Sequence, residues 1–61
     1  MRSLVEKLII NHQTFVLRNY GDGWDVYHCY DDDDGFQIHL LEEGCATRKQ
    51  AIKIAEEYAN A

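Results

Sequence analysis

A chain of 61 residues makes one domain, close to the lower size at which a hydrophobic core alone sustains a fold, because only about 60% of the unfolded surface is buried at this length. Its 46% hydrophobic content and net charge of −5 belong to a globular protein, not a disordered one. The apolar runs fall far short of the roughly 20 residues that span a bilayer, and Met1-Arg2-Ser3-Leu4 opens no recognisable signal peptide, so no membrane is expected and the expected location is cytoplasmic.

In chain order, the first segment is open to two readings. Ser3 and Glu6 stand at capping-box spacing, whereas Lys7 to Ile10 can pair with a following strand. The reading preferred is a short strand or an irregular lead-in, with a brief helix as the alternative. Thr14 to Tyr20, Trp24 to Tyr30 and Phe36 to Leu41 then show the two-residue alternation and the β-branched and aromatic content of strands. Gly21-Asp22-Gly23 supplies the positive φ that a tight turn needs, and Asp31 to Asp34 with Gly35 suits a longer loop closing on a left-handed glycine.

A five-residue loop of this kind sets Tyr30 opposite Phe36, His28 opposite Ile38, Val26 opposite Leu40 and Trp24 opposite Glu42. Trp24, Val26, Phe36, Ile38 and Leu40 would then share the face that a helix covers. That helix is the best-marked element. Ala51, Ile52, Ile54, Ala55, Tyr58 and Ala59 recur at helical spacing, and Thr47 with Gln50 forms a capping box at its start. The fold class that follows is α+β: a three-stranded antiparallel sheet, four-stranded if the N-terminal segment joins it, packed by one C-terminal helix.

No constellation for catalysis or metal binding emerges, and neither a cofactor nor an enzyme is expected. Asp31-Asp32-Asp33-Asp34-Gly35 suggests a calcium loop, but with Gly35 at the sixth position the first and twelfth are Tyr30 and Leu41, so two essential oxygen ligands are missing. His12, His28, His39, Cys29 and Cys45 lack the paired spacing of zinc sites, and the register above sends His28 and His39 to opposite faces. The two cysteines read as reduced, buried residues. Ser3 is the only serine, and Gly21-x-Gly23 lacks the third glycine of a phosphate loop.

Charge layout is the most informative feature. From Asn19 to Cys45 there are eight acidic residues, Asp22, Asp25, Asp31 to Asp34, Glu42 and Glu43, and no lysine or arginine. Asp31, Asp32, Asp33 and Asp34 are adjacent and repel one another, so they call for a basic partner or for solvent. Tyr27 and Tyr30, with Tyr20 beside them, are candidate aromatic anchors for such a partner. The expected partner is a basic surface of another protein, with nucleic acid ranked second, and a homodimer is compatible with so small a core.

The basic counterpart lies at the helix start. Arg48, Lys49 and, one turn on, Lys53 put positive charge at the positive end of the helix dipole, which suits an anion: phosphate, or the chain's own Glu42 and Glu43. Gly44-Cys45-Ala46-Thr47-Arg48-Lys49-Gln50-Ala51 after three strands resembles the end of double-stranded-RNA-binding domains, and also the strand-strand-strand-helix arm-binding domains of phage-type integrases. The resemblance to the RNA-binding family implies phosphate contacts from Arg48 and Lys49. The second-ranked reading, a nucleic-acid-binding module at the basic helix start, would use Arg48, Lys49 and Lys53, with Arg18 assisting from the first strand. In size and charge alone the chain resembles small acidic phage proteins that block restriction or CRISPR machinery, which implies an inhibitor offering carboxylates to a nucleic-acid-binding site.

Overall fold

A computed structural model describes residues 4–61, so Ser3 of the N-terminal capping-box pattern lies outside the described residues. Four strands run in meander order, β1 (Leu4–Ile10), β2 (Gln13–Asn19), β3 (Trp24–Asp32) and β4 (Gly35–Cys45), followed by one helix, α1 (Arg48–Ala59). The fold is thus α+β, a four-stranded antiparallel sheet with the C-terminal helix packed on one side. The N-terminal segment resolves as a strand. Val5, Lys7 and Ile9 alternate with Glu6, Leu8 and Ile10, and the even-numbered set is the less exposed.

Short connections fix the meander. Ile10 pairs with Gln13, which leaves Asn11 and His12 as a two-residue turn with φ of 54° and 65°. Positive φ at both positions is the mark of a type I′ hairpin, whose twist matches that of the strands. Asn11 and Gln13 also donate side-chain amide hydrogens to the Ala59 carbonyl, each at 3.3 Å, and so tie this turn to the helix C-terminus. At the β2–β3 connection Gly21 adopts φ 99°, and its N–H donates to Asn19 Oδ1 at 2.6 Å.

The helix starts where the capping signal lies. Thr47 Oγ1 accepts from Gln50 N at 3.1 Å, while Gln50 Oε1 accepts from Ala46 N at 3.0 Å, one residue outside the reciprocal bond of a standard capping box. Ala51, Ala55 and Ala59 are buried along one stripe, which lets the helix approach the sheet closely along that line. Phe15, Leu17 and Val26 fill the centre of that interface at zero exposure, with Leu8, Ile10, Trp24, Leu41, Ile52 and Ile54 packed around them.

The β3–β4 hairpin differs from expectation. Pairing continues through Asp32 and Gly35, so only Asp33 and Asp34 form the tip, and Gly35 follows at φ 108°. Asp31, not Tyr30, therefore faces Phe36; Cys29 faces Ile38, and Tyr27 faces Leu40. A shift of one residue turns every side chain of a strand over. Phe36, Ile38 and Leu40 consequently lie on the side away from the helix, whereas Trp24 and Val26 lie on the helix side as expected. The same shift sets His28 directly opposite His39 on one face, where opposite faces were expected.

Further along, β4 takes in extra residues. Val26 pairs with Glu42 and Trp24 with Cys45, so two register shifts carry β4 past β3 and bring Cys45 into the core. The shifts leave Gly44 at φ 74°, with its N–H donating to Asp25 Oδ1 at 3.2 Å.

His12 is the one strained choice in the first hairpin, since a residue with a Cβ resists φ near +65°. His12→Gly should therefore raise unfolding stability by about 1 kcal/mol, or roughly 5 °C in melting temperature for a domain of this size. Thermal denaturation followed by circular dichroism measures it, and an unchanged or lower midpoint would contradict the turn assignment.

Candidate functional site

Once α1 covers one face, the other is left open. Along it, alternate residues form rows across the strands: Val5, Arg18 and Asp25; Lys7, Val16, Tyr27 and Leu40; Ile9, Thr14, Cys29 and Ile38; and Asp31 with Phe36. The two middle rows and the rim are largely apolar. Val5 is 64% exposed, Ile9 63%, Phe36 62%, Ile38 57% and Leu40 50%. Val5, Val16, Arg18, Tyr27, Cys29 and Ile38 enclose a hollow of about 260 Å³ in this face.

The acidic residues do not form one patch. Asp22, Asp25, Glu42 and Glu43 gather at one end of the sheet and Asp31 to Asp34 at the other. Asp31 lies six residue steps beyond Asp25 along extended β3, which is about 20 Å. At the tip, Asp32 Oδ1 accepts from Asp34 N at 2.8 Å and from Gln37 Nε2 at 3.4 Å. These bonds shape the hairpin and leave its charge unneutralised. Asp33 and Asp34 are exposed at the turn, beside Asp31 and Phe36.

The tyrosines take different roles. Tyr27 lies on the open face. Tyr30 lies on the helix side, where its hydroxyl stands 3.1 Å from His39 Nε2 and its ring stacks on His28 at 5.2 Å. With Phe15 and Tyr58, these residues form an aromatic and histidine cluster beside the helix, in which His28 Nδ1 is buried without a hydrogen-bond partner. Sequence alternation places most of this cluster on one face, but only the true β3–β4 register brings His39 to it.

The basic residues are also divided. Arg18 is on the open face with its guanidinium carbon 4.7 Å above the Tyr20 ring. Arg48, Lys49 and Lys53 line the exposed side of the helix start. Arg48 donates from Nε to Glu6 Oε1 at 2.8 Å and from its second nitrogen to Glu6 Oε2, a forked ion pair across to β1. The counter-anion at the helix start is therefore Glu6, in place of the Glu42 and Glu43 suggested by sequence proximity, because α1 lies across all four strands and its first turn sets Arg48 within reach of the far edge strand β1.

The fork lowers the Glu6 carboxyl below its usual range and raises Arg48, in both cases chiefly through the side-chain hydrogen bond. Cys29 and Cys45 are free, buried and held above the usual thiol range by desolvation. Cys29 lies beneath the open face and Cys45 in the core, which is poor placement for nucleophiles. Among the described residues no three histidine, cysteine or carboxylate side chains converge on a metal-sized site, and no helix is long and apolar enough to cross a membrane. Comparison with known proteins gives no matching family model, curated protein or solved structure.

Two titration outcomes follow from these shifts. A carboxyl lowered on folding stabilises the fold above its unfolded pKa of about 4.3, and that contribution is lost as pH falls through the lower folded value. Glu6→Gln should thus flatten the acid limb of a plot of denaturation midpoint against pH; an unchanged limb would dissociate the ion pair from folding. The raised thiols act in the opposite sense, their contribution being present below about pH 8.5 and fading above it. Cys29 and Cys45 should react with iodoacetamide at pH 8 at least about tenfold more slowly than an unfolded thiol, and equal rates would show that the sites open readily.

Proposed function

We propose that the chain is a noncatalytic protein-binding module that offers carboxylates to a basic surface of another protein. The observation that carries this reading is the state of its charges. None of the eight carboxylates between Asn19 and Cys45 takes part in an ion pair among the described residues, while Arg48, the foremost cation of the helix start, is engaged by Glu6. A hairpin that holds Asp31 to Asp34 in place, with exposed Phe36 adjoining, presents negative charge at little further ordering cost and adds an apolar contact.

A protein with a basic nucleic-acid-binding groove meets these requirements, which makes an inhibitor that occupies such a groove the specific form of the reading. The alternative is a nucleic-acid-binding module built on Lys49 and Lys53 with Arg48. It suffers from the Glu6 fork and from the position of Arg18 on the far side of the sheet. The buried thiols support a noncatalytic role.

The test is binding of a fluorescent oligoarginine peptide, and separately of double-stranded RNA and DNA, at low and moderate salt. Oligoarginine affinity should fall at least about tenfold when Asp31 to Asp34 become asparagine. Neutralising Asp22, Asp25, Glu42 and Glu43 removes the same charge from the other end and should cost clearly less. Equal losses would reduce the effect to overall charge. Salt-sensitive RNA or DNA binding that disappears on Arg48→Ala with Lys49→Ala would replace the proposal by its alternative.

A further inference from the structure

The open face of the sheet exposes Val5, Ile9, Phe36, Ile38 and Leu40 together, and its charges are divided by side. Lys7 and Arg18 stand on β1 and β2, Asp25 and Asp31 on β3. We propose that this face is the interface of a homodimer in which two sheets stack face to face about a two-fold axis parallel to the strands.

The register selects that axis. Rotation about a line parallel to the strands, midway between β2 and β3, lays β1 over the partner's β4 and β2 over the partner's β3, and it keeps each row at the same level. Arg18 then meets the second copy's Asp25, and Asp25 meets its Arg18. Val16 covers Tyr27, and Ile9 covers Ile38. Lys7 lies over Leu40 at the margin, where its stem covers the leucine and its ammonium stays in water. The other in-plane axis, at right angles to the strands, would set Asp25 against Asp31 on the same strand of the second copy, a like-charge contact on both sides of the axis. Aligned stacking of twisted sheets about 10 Å apart is also the common geometry for two such layers.

The area is adequate. Four strands of seven residues have a flat footprint of about 450 Å² per chain, so the pair removes roughly 900 Å² before side-chain relief is added, near the ~1,000 Å² of a specific interface. Apolar side chains occupy its centre and charges its margin, as in protein interfaces generally. The interface stands independently of the binding role proposed above, but the two interlock. An axis parallel to the strands brings both Asp33-Asp34 tips to one end of the dimer and so doubles the carboxylates offered there.

Sedimentation equilibrium of the full chain from micromolar to near-millimolar concentration should give twice the 7.1 kDa chain mass. Arg18→Asp alone and Asp25→Arg alone should each weaken the dimer at least about tenfold, because each sets like charges against one another. An equimolar mixture of the two variants should restore it. In the mixed dimer one chain carries carboxylates at both positions and the other guanidinium groups at both, so each of the two contacts again joins opposite charges; that rescue also shows that both variants fold. Ile38→Lys should give monomer. A monomer across the whole range would overturn the proposal. So would a dimer that survives Ile38→Lys, which would indicate pairing through strand edges, or a mixture that fails to recover. Oligoarginine binding by the monomeric Ile38→Lys variant keeps the two readings separable, because loss of the dimer need not abolish capture at the tip.

Discussion

Much of this molecule depends on where the β3–β4 hairpin turns. Because Asp32 pairs with Gly35, the tip holds only Asp33 and Asp34, and that single register decides which side of β4 meets the helix. Gln37, His39 and Leu41 face inward, and Phe36, Ile38 and Leu40 face outward. The core is then built chiefly from β2 and β3, with alanines contributed by the helix. Gly35 at positive φ permits the tight turn, and two bulges further along return Cys45 to the interior. Had the turn been one residue longer, the apolar side of β4 would have lain beneath α1, and the open face would have been polar.

The helix and the strands were legible because their signals are local. Thr47 and Gln50 mark a start, and the Ala51, Ala55 and Ala59 spacing marks a buried stripe. The Thr14 and Trp24 segments alternate with period two, and their neighbouring glycines mark turns. The β3–β4 register was not legible, because it rests on a competition between a five-residue loop and a two-residue tip that the run of aspartates leaves undecided. Pattern favoured the longer loop, which gathers Trp24, Val26, Phe36, Ile38 and Leu40 on one face. In the structure the pairing through Asp32 prevails, and hydrophobic patterning alone does not reveal that one strand buries its smaller apolar share. The N-terminal strand was half visible, since Lys7 to Ile10 fits β pairing while Ser3 and Glu6 point to a helix.

The candidate site divides in the same way. The acidic composition of the middle of the chain was plain, but its separation into two ends about 20 Å apart follows from the length of β3. At the helix start, charge proximity along the chain pointed to Glu42 and Glu43, whereas the fold supplies Glu6, 42 positions upstream. Long-range ion pairs of this kind carry no sequence signal. Their effect is nonetheless specific, because the Arg48 fork ties the outer strand to the first turn of the helix and leaves Lys49 and Lys53 as the free cations of that end among the described residues.

The meander order of the sheet has a consequence for how the chain reaches its structure. Each strand pairs only with its neighbour in sequence, across connections of a few residues, so no long loop must close before a contact forms. The hairpins can therefore assemble in the order in which a ribosome releases them, β1 with β2, then β3, then β4, and the helix docks last onto a surface already made. The closing step is the one that buries Phe15, Leu17 and Val26 together. A nascent chain accordingly keeps little cooperative stability until α1 emerges, and its aliphatic strands stay uncovered, open to neighbouring chains, until that step.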